Sequence, residues 1–251
     1  MDGRYCRQII LPEIKESGQA RLSSSKASVI GAGGLGSAVL YYLASAGIGE
    51  ISIVDPDRVD LTNLNRQFIH NEADIGREKA ISAMEKIQSF NPAIKVTASV
   101  AGVCAENTGE HLSGSDIVIS CVDNKHTRFL LNGFCVQRGV PFVDGGISGF
   151  EGYVLTYLPN AAPCFCCAFP VIKESPAPTG VIGAAAGVVG SIMALQAVKI
   201  LLGIKFENYL LYADLMSLKV FPIEARKNPN CPVCGANGQP RPRSGQSNSG
   251  A

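Results

Sequence analysis

Apolar residues fall into short runs separated by turn-forming clusters through the first two-thirds of the chain. Ala27 to Gly31 (ASVIG) is a compact apolar run, and a glycine-rich turn leads from it into an apolar helical stretch ending near Ala46. Glu50 to Asp55 (EISIVD) has strand character, and a polar, turn-rich segment follows to Gly76. A helix is predicted from about Arg77 to Phe90, stopped by Asn91-Pro92. Ile94 to Val100 alternates, while Asp116 to Cys121 (DIVISC) and Pro141 to Asp144 (PFVD) are continuous apolar runs of the kind buried in parallel sheets. A helix from about Lys125 to Arg138 lies between those two runs. Such alternation predicts an α/β fold, a doubly wound, mostly parallel sheet with right-handed crossovers.

Beyond Gly146 the pattern changes. Gly152 to Leu158, Tyr209 to Ala213 and Leu218 to Ile223 are strand candidates expected to extend the sheet in antiparallel fashion around an apolar helix from Val181 to Leu202. Ala168 to Gly180, with Pro170, Pro176 and Pro178, is expected to be a loop. The apolar stretch is interrupted by Gln196 and Lys199 before roughly 18 apolar residues accumulate, which favours a buried helix over a membrane span. Gly183, Gly187 and Gly190 in it suit close helix packing. One domain over 1–235 is expected, followed by a disordered tail, 236–251, of Gly, Ser, Pro, Gln and Asn with two arginines.

Composition narrows the function. The 251 residues carry 22 basic and 21 acidic side chains, so no bulk electrostatic grip on nucleic acid or an anionic membrane is expected. The start, MDGRYCRQIILPEI, has charges at Arg4, Arg7 and Glu13 and no apolar run of signal-peptide length. Nine cysteines, four of them in two CxxC pairs, suggest a metal site in a reducing compartment, and the chain reads as cytoplasmic.

The chemistry begins at Gly31-Ala32-Gly33-Gly34-Leu35-Gly36, a GxGxxG turn between a predicted strand and a helix. Gly31, Gly33, Gly34 and Gly36 allow a tight turn and let backbone N–H groups approach a phosphate at the helix N-terminus. Asp55 ends the second strand, where an acidic side chain accepts hydrogen bonds from ribose hydroxyls. These features alone leave the nucleotide open, with NAD the first candidate. The DRVDLTNLNRQF segment, Asp57 to Phe68, and Lys79 change the balance. Arg66 and Lys79 would converge on the crevice mouth, and a triphosphate losing pyrophosphate needs that positive charge where a hydride carrier does not.

GAGGLGS, IVDPDRVDLTNLNRQ, DIGREK and CVDN, with RYCRQIIL at the start, resemble the ThiF/MoeB/HesA group of ubiquitin-activating-type adenylyltransferases. The resemblance runs from Arg4 to Gly235 and implies a single adenylation domain with a Rossmann-like fold. It further implies that Gly34 lies in the phosphate loop, that Asp55 binds ribose, and that Asn63, Arg66, Gln67 and Lys79 line the triphosphate path. Asp123 would hold Mg²⁺, and Arg7 would reach the ATP of a neighbouring subunit in a homodimer. The implied reaction is ATP-dependent adenylation of the C-terminal glycine of a ubiquitin-like sulfur-carrier protein, ThiS-like or MoaD-like. An NAD-dependent oxidoreductase and a nucleotide-binding scaffold without turnover are the competing readings.

Cys164-x-x-Cys167 and Cys231-x-x-Cys234 form a candidate four-cysteine zinc site, and four thiolates would leave no open position on the metal. A redox dithiol is the weaker alternative. Cys166 could compete with a neighbour for the metal; the resemblance selects Cys164 and Cys167. Some relatives carry a cysteine in the loop before the apolar helix, near Pro176 here, for covalent chemistry with the carrier. No cysteine lies between Ala168 and Asn230, so activation alone is expected. Cys121 is expected to be packing, and of His70, His111 and His126 only His126 lies near a predicted site residue, Asp123.

Overall fold

The structure, a computed structural model, describes residues 3–170, 180–206 and 209–235. Among the described residues, eight strands form one continuous sheet in the order β3-β2-β1-β4-β5-β6-β7-β8. They are β1 Lys26–Ile30, β2 Glu50–Val54, β3 Lys95–Ser99, β4 Ile117–Ser120, β5 Phe142–Ser148, β6 Glu151–Tyr157, β7 Leu210–Asp214 and β8 Lys219–Pro222. Pairing is parallel from β3 through β5 and antiparallel from β5 through β8. The strand order turns around between β1 and β4, which opens a crevice at their carboxyl ends.

The helices are α1 Cys6–Ile9, α2 Lys15–Ser24, α3 Gly34–Ala46, α4 Lys79–Phe90, α5 Thr108–His111, α6 Lys125–Arg138, α7 Phe165–Ala168 and α8 Gly183–Leu202. The central strands are mostly apolar because both faces of the sheet are covered. One core holds Val29, Ile51, Ile53 and Ile119 against Leu22, Val39, Leu43, Ile87, Val189 and Met193 of α2, α3, α4 and α8. A second core on the opposite face joins Ile30, Val118, Phe142 and Leu155 to Leu131 and Val136 of α6 and Phe165 of α7.

Every strand and helix expected from the sequence is present within two residues at its start. Strand β5 runs further, to Ser148, and hairpins into β6 at Gly149, which has φ +58°. The N-terminal helices α1 and α2 had no periodic signal. α2 packs under the sheet through Gln19 and Leu22 alone.

α8 is long and apolar enough to cross a membrane by length and composition, but half of its most apolar window is buried. It lies against α3, and a Cβ placed on Gly190 would sit 2.6 Å from the Leu35 carbonyl oxygen and 2.9 Å from Ala38 Cβ. That crossing tolerates no side chain. A Cβ on Gly183 would likewise fall 2.3 Å from the Asn65 carbonyl oxygen, whereas Gly187 faces open space. Residues 171–179 of the loop expected from Ala168 to Gly180, Pro176 among them, and the expected disordered tail lie outside the described residues.

Candidate functional site

The crevice between β1 and β4 is a pocket of about 1090 Å³. Gly31, Gly33 and Gly34, Asp55, Arg66, Gln67, Lys79 and Asp123 all line it. These residues come from separate stretches of chain, brought together at the carboxyl ends of β1, β2 and β4.

The glycine turn is dictated by close approach. Gly31 has φ +99°, and a Cβ there would lie 2.7 Å from the Cys121 carbonyl oxygen. Gly36 supports the turn from beneath, since its Cβ would overlap the Gly31 carbonyl oxygen at 2.1 Å. It is not among the pocket-lining residues. Gly33 caps α3, with Ser37 N–H bonded to its carbonyl at 2.8 Å, and the N-terminus of α3 opens on the pocket. Such a terminus presents unpaired N–H groups and a partial positive charge to an anion.

Asp55 is buried and accepts from Ala32 N–H through Oδ2 at 2.7 Å and from Asp57 N–H through Oδ1 at 2.8 Å. Burial pushes its carboxyl above the ordinary range, opposed by those two N–H donors and by the charge of Lys79. Lys79 opens α4, is 6% exposed, and reaches Asp57 Oδ2 at 3.0 Å. Asp57 itself is mostly exposed, so one partner of this pair is held by the fold and the other by water.

Asn63 shapes the next turn without lining the pocket. Its Oδ1 accepts from Asp60 N–H at 3.2 Å, and its carbonyl accepts from the N–H groups of Arg66 and Gln67. The half-buried Arg66 donates to the Thr62 carbonyl and Asn65 Oδ1, both at 2.9 Å. Gln67 is buried with Oε1 unpartnered, and its amide nitrogen would lie 3.5 Å from a Cβ on Gly33. The unpartnered carbonyl oxygen of this buried side chain, beside the glycine turn, fits a polar ligand or a bridging water.

Asp123 follows β4 on the opposite wall, exposed to the pocket. Asn124 caps α6 by accepting from Thr127 N–H at 2.9 Å. His126 is exposed and does not line the pocket. Arg7 lies on the exposed α1, away from the pocket of its own chain.

Two groups of residues escaped the sequence reading. His70 lies beneath the glycine turn, with Nε2 3.0 Å from the Ala32 carbonyl oxygen and Nδ1 2.9 Å from Ser82 Oγ. A carbonyl only accepts, so Nε2 carries the proton and Nδ1 accepts from Ser82. Arg128, Asp144 and Tyr153 form a buried cluster at the far wall, with Arg128 Nη1 2.6 Å from Asp144 Oδ2. Burial drives the Asp144 carboxyl upward and the Arg128 charge opposes it. Neither group belongs to a sequence motif; both depend on which strands end side by side.

The four predicted metal cysteines converge. Their sulfurs all lie within 4.8 Å of one another, with Cys164–Cys231 at 3.7 Å and Cys167–Cys234 at 3.4 Å. Tetrahedral zinc bound by four sulfurs requires separations of about 3.8 Å. Asn228 N–H also points at Cys167 Sγ, at 3.4 Å, as a donor to a thiolate does. The site therefore fits zinc, and Cys166 is not part of it. The cluster ties the end of the described chain to the loop after β6.

The family model described as ThiF matches residues 5–233. The chain belongs to the ThiF family. It is 42% identical over 245 residues to the SAMP-activating enzyme E1 of Haloferax volcanii, covering 94% of this chain and 89% of that protein. It is 40% identical over 246 residues to the sulfur carrier protein adenylyltransferase of Thermus thermophilus, covering 92% and 90%. Against the adenylyltransferase and sulfurtransferase MOCS3 of Arabidopsis thaliana it is 39% identical over 242 residues, which is 93% of this chain but 52% of that protein. Among solved structures, E. coli MccB with MccA-N7isoASN superposes with a TM-score of 0.84 at 22% identity, covering 94% of this chain and 76% of that one. E. coli MccB with ATP superposes at 0.82, with 22% identity over 93% and 75%. These structural likenesses show that the chain shares the fold of MccB.

Proposed function

We propose that this ThiF-family chain uses ATP to adenylate the C-terminal glycine of a ubiquitin-like sulfur-carrier protein and releases pyrophosphate. The observation that carries the proposal is the pocket at the β1/β4 turnaround, which gathers the glycine turn, Asp55, Arg66, Gln67, Lys79 and Asp123. Relatives named as a sulfur carrier protein adenylyltransferase and a SAMP-activating enzyme support the carrier as substrate. An oxidoreductase would leave the Arg66–Gln67 turn and Lys79 without work.

A carboxylate is a poor acyl donor because it cannot expel oxide. Attack of the carrier's terminal carboxylate oxygen on the α-phosphorus of ATP forms a P–O bond, breaks the bond to the β-phosphate oxygen and expels pyrophosphate. The product is an acyl-adenylate with a good leaving group. The carboxylate attacks already ionised, so no side-chain base is needed. Asp55 would hold the ribose, the Gly31–Gly34 turn the phosphates, and Arg66, Gln67 and Lys79 the triphosphate. Their positive charge, fixed in advance, would favour the transition state in which charge builds on the leaving oxygens. Mg²⁺, held by Asp123, would add cationic charge beside the phosphates. Zinc at the four cysteines would be structural, with no open coordination position.

The adenylate would pass to a separate sulfur donor, consistent with the lack of a cysteine between Ala168 and Asn230. A homodimer is part of the proposal. Tyr42, Phe68 and Leu195 are all more than half exposed around an apolar groove between α3 and α8, and Arg7 would complete the neighbour's pocket. Residues 1–235 would act as one adenylation unit in the cytoplasm, where reduced thiols are available for metal.

ATP–pyrophosphate exchange with ThiS-like and MoaD-like carriers tests the reading. Exchange that requires the carrier's terminal glycine is the expected result. Nucleotide binding with no carrier-dependent exchange would instead favour a scaffold or another carboxylate substrate.

A further inference from the structure

Arg128 lies in the first turns of α6 and is 8% exposed. Its Nη1 donates to Asp144 Oδ2 at 2.6 Å, to the Gly145 carbonyl at 2.7 Å and to Tyr153 Oη at 2.8 Å. Tyr153 in turn donates to the same Asp144 oxygen at 2.7 Å. The second guanidinium nitrogen, Nη2, turns back along the chain and donates to the Val122 carbonyl. One planar group therefore joins β5, β6 and the link between β4 and α6.

That link is short and tied down along its length. Cys121 N–H bonds to the Ile30 carbonyl at 2.7 Å at its start, and the Asn124 cap closes its end. Arg128 holds the carbonyl of Val122, the residue immediately before Asp123. A buried ion pair is a poor source of net stability compared with apolar packing of the same volume. Its fork geometry, however, fixes direction in a way a hydrophobic side chain cannot. An apolar residue at 128 would join the strands but leave the Val122 carbonyl free to rotate.

We propose that Arg128 is a positioning residue that aims the Asp123 carboxylate into the pocket by clamping the Val122 carbonyl, with Asp144 and Tyr153 as its anchor. This rests on the reading of Asp123 as the group that holds the divalent cation. Arg128 need not touch the nucleotide to act in this way.

The test uses Arg128→Lys in the full chain, which keeps a charge opposite Asp144 but cannot span to Val122. The probe is Mn²⁺, titrated by electron paramagnetic resonance in the presence of a non-hydrolysable ATP analogue. Weakening of Mn²⁺ affinity by roughly tenfold is expected, the scale on which groups supporting metal ligands act. Amide hydrogen exchange over residues 122–125 should quicken in the free protein, while analogue affinity without metal stays within about threefold. Unchanged Mn²⁺ affinity and exchange would overturn the proposal. So would an equal loss of metal-free nucleotide affinity, which would mark Arg128 as general pocket framework. If Arg128→Lys fails to fold, as judged by its melting curve, Tyr153→Phe decides: a smaller Mn²⁺ shift in the same direction supports the clamp, and none overturns it. Asp123→Ala separates the two readings. Retained Mn²⁺ affinity in that variant would sink the role of Asp123 and the clamp with it. Lost affinity there beside an unaltered Arg128→Lys sinks the clamp alone.

Discussion

Lys79 Nζ lies 3.0 Å from Asp57 Oδ2, with the lysine buried in the pocket wall and the aspartate standing mostly in water. The pair keeps the lysine's charge satisfied until a stronger anion arrives. An ion pair with one solvated partner contributes only about 0–1 kcal/mol, so a triphosphate can displace it. Lys79→Ala should therefore lower carrier-dependent pyrophosphate exchange by about 10²-fold or more, the usual scale for a lost electrostatic stabiliser. Asp57→Asn should leave the rate within about fivefold. Equal losses in both variants would mean that the pair itself, rather than the free lysine, does the work.

The four glycines of the turn divide into two kinds. Gly36 would place a Cβ 2.1 Å from a backbone oxygen that cannot move without unmaking the turn, whereas Gly33 would meet only the Gln67 amide at 3.5 Å. Gly36→Ala should thus unfold or sharply destabilise the protein. Gly33→Ala should fold with a melting temperature near the parent's and lose ATP affinity, because its methyl occupies the ligand's side of the turn. Matching thermal melts and ATP titrations on the two variants check this. A destabilised Gly33→Ala would show that the turn, not the ligand, requires that glycine.

The sequence signalled the fold wherever pattern and packing agree. The buried parallel strands needed apolar side chains on both faces, so DIVISC and PFVD stood out, and the cysteine knuckles announced their own convergence. Arg66, Gln67, Lys79 and Asp123 were legible because they sit in motifs. Asn63 was legible as a motif member, but its side chain is engaged in capping the Asp60 turn. His70 and Arg128 were not legible as functional groups. Their significance comes from contacts with Ala32 and with Val122 and Asp144, pairings set by strand order. α1 and α2 carried no periodic apolar stripe, because α2 buries little more than Gln19 and Leu22.

Zinc removal should act on the C-terminal half. Chelation or Cys231→Ser would cut the tie between the 231–234 knuckle and the loop after β6. A loss of roughly 3 kcal/mol, or about 6–12 °C in Tm for a chain of this size, is expected. Cys166→Ser should leave both metal content and Tm unchanged, since its sulfur lies outside the cluster. Metal analysis should give one zinc per chain in the parent and in Cys166→Ser. Retained zinc in Cys231→Ser would be inconsistent with the four-thiolate site.

His70 should make stability depend on pH. Burial pushes its pKa below the ordinary 6.5. Between the lowered folded value and 6.5 the unfolded chain binds more protons, so stability rises with pH through that window and is fully present above it. Acidification below about 6.5 should therefore weaken the fold by up to about 1.4 kcal/mol per pH unit from this group. Denaturant midpoints at pH 7.5 and 5.5 should differ more in the parent than in His70→Gln. An equal difference in both would assign the acid sensitivity elsewhere.

The proposed dimer makes a quantitative demand. Arg7 is exposed on α1 and does not line its own pocket, so its proposed contribution would come across an interface. Arg7→Ala and Asp123→Ala homodimers should each be nearly inactive. In a mixed dimer, the pocket of the Arg7→Ala chain keeps its own Asp123 and receives the intact Arg7 of its partner, while the other pocket lacks both. Random exchange makes half the molecules mixed, with one working site in two, so an equimolar mixture should recover about a quarter of parental exchange activity. Sedimentation would establish that the mixture is dimeric. Recovery near zero in a dimeric, exchanging mixture would place Arg7 in service of its own chain.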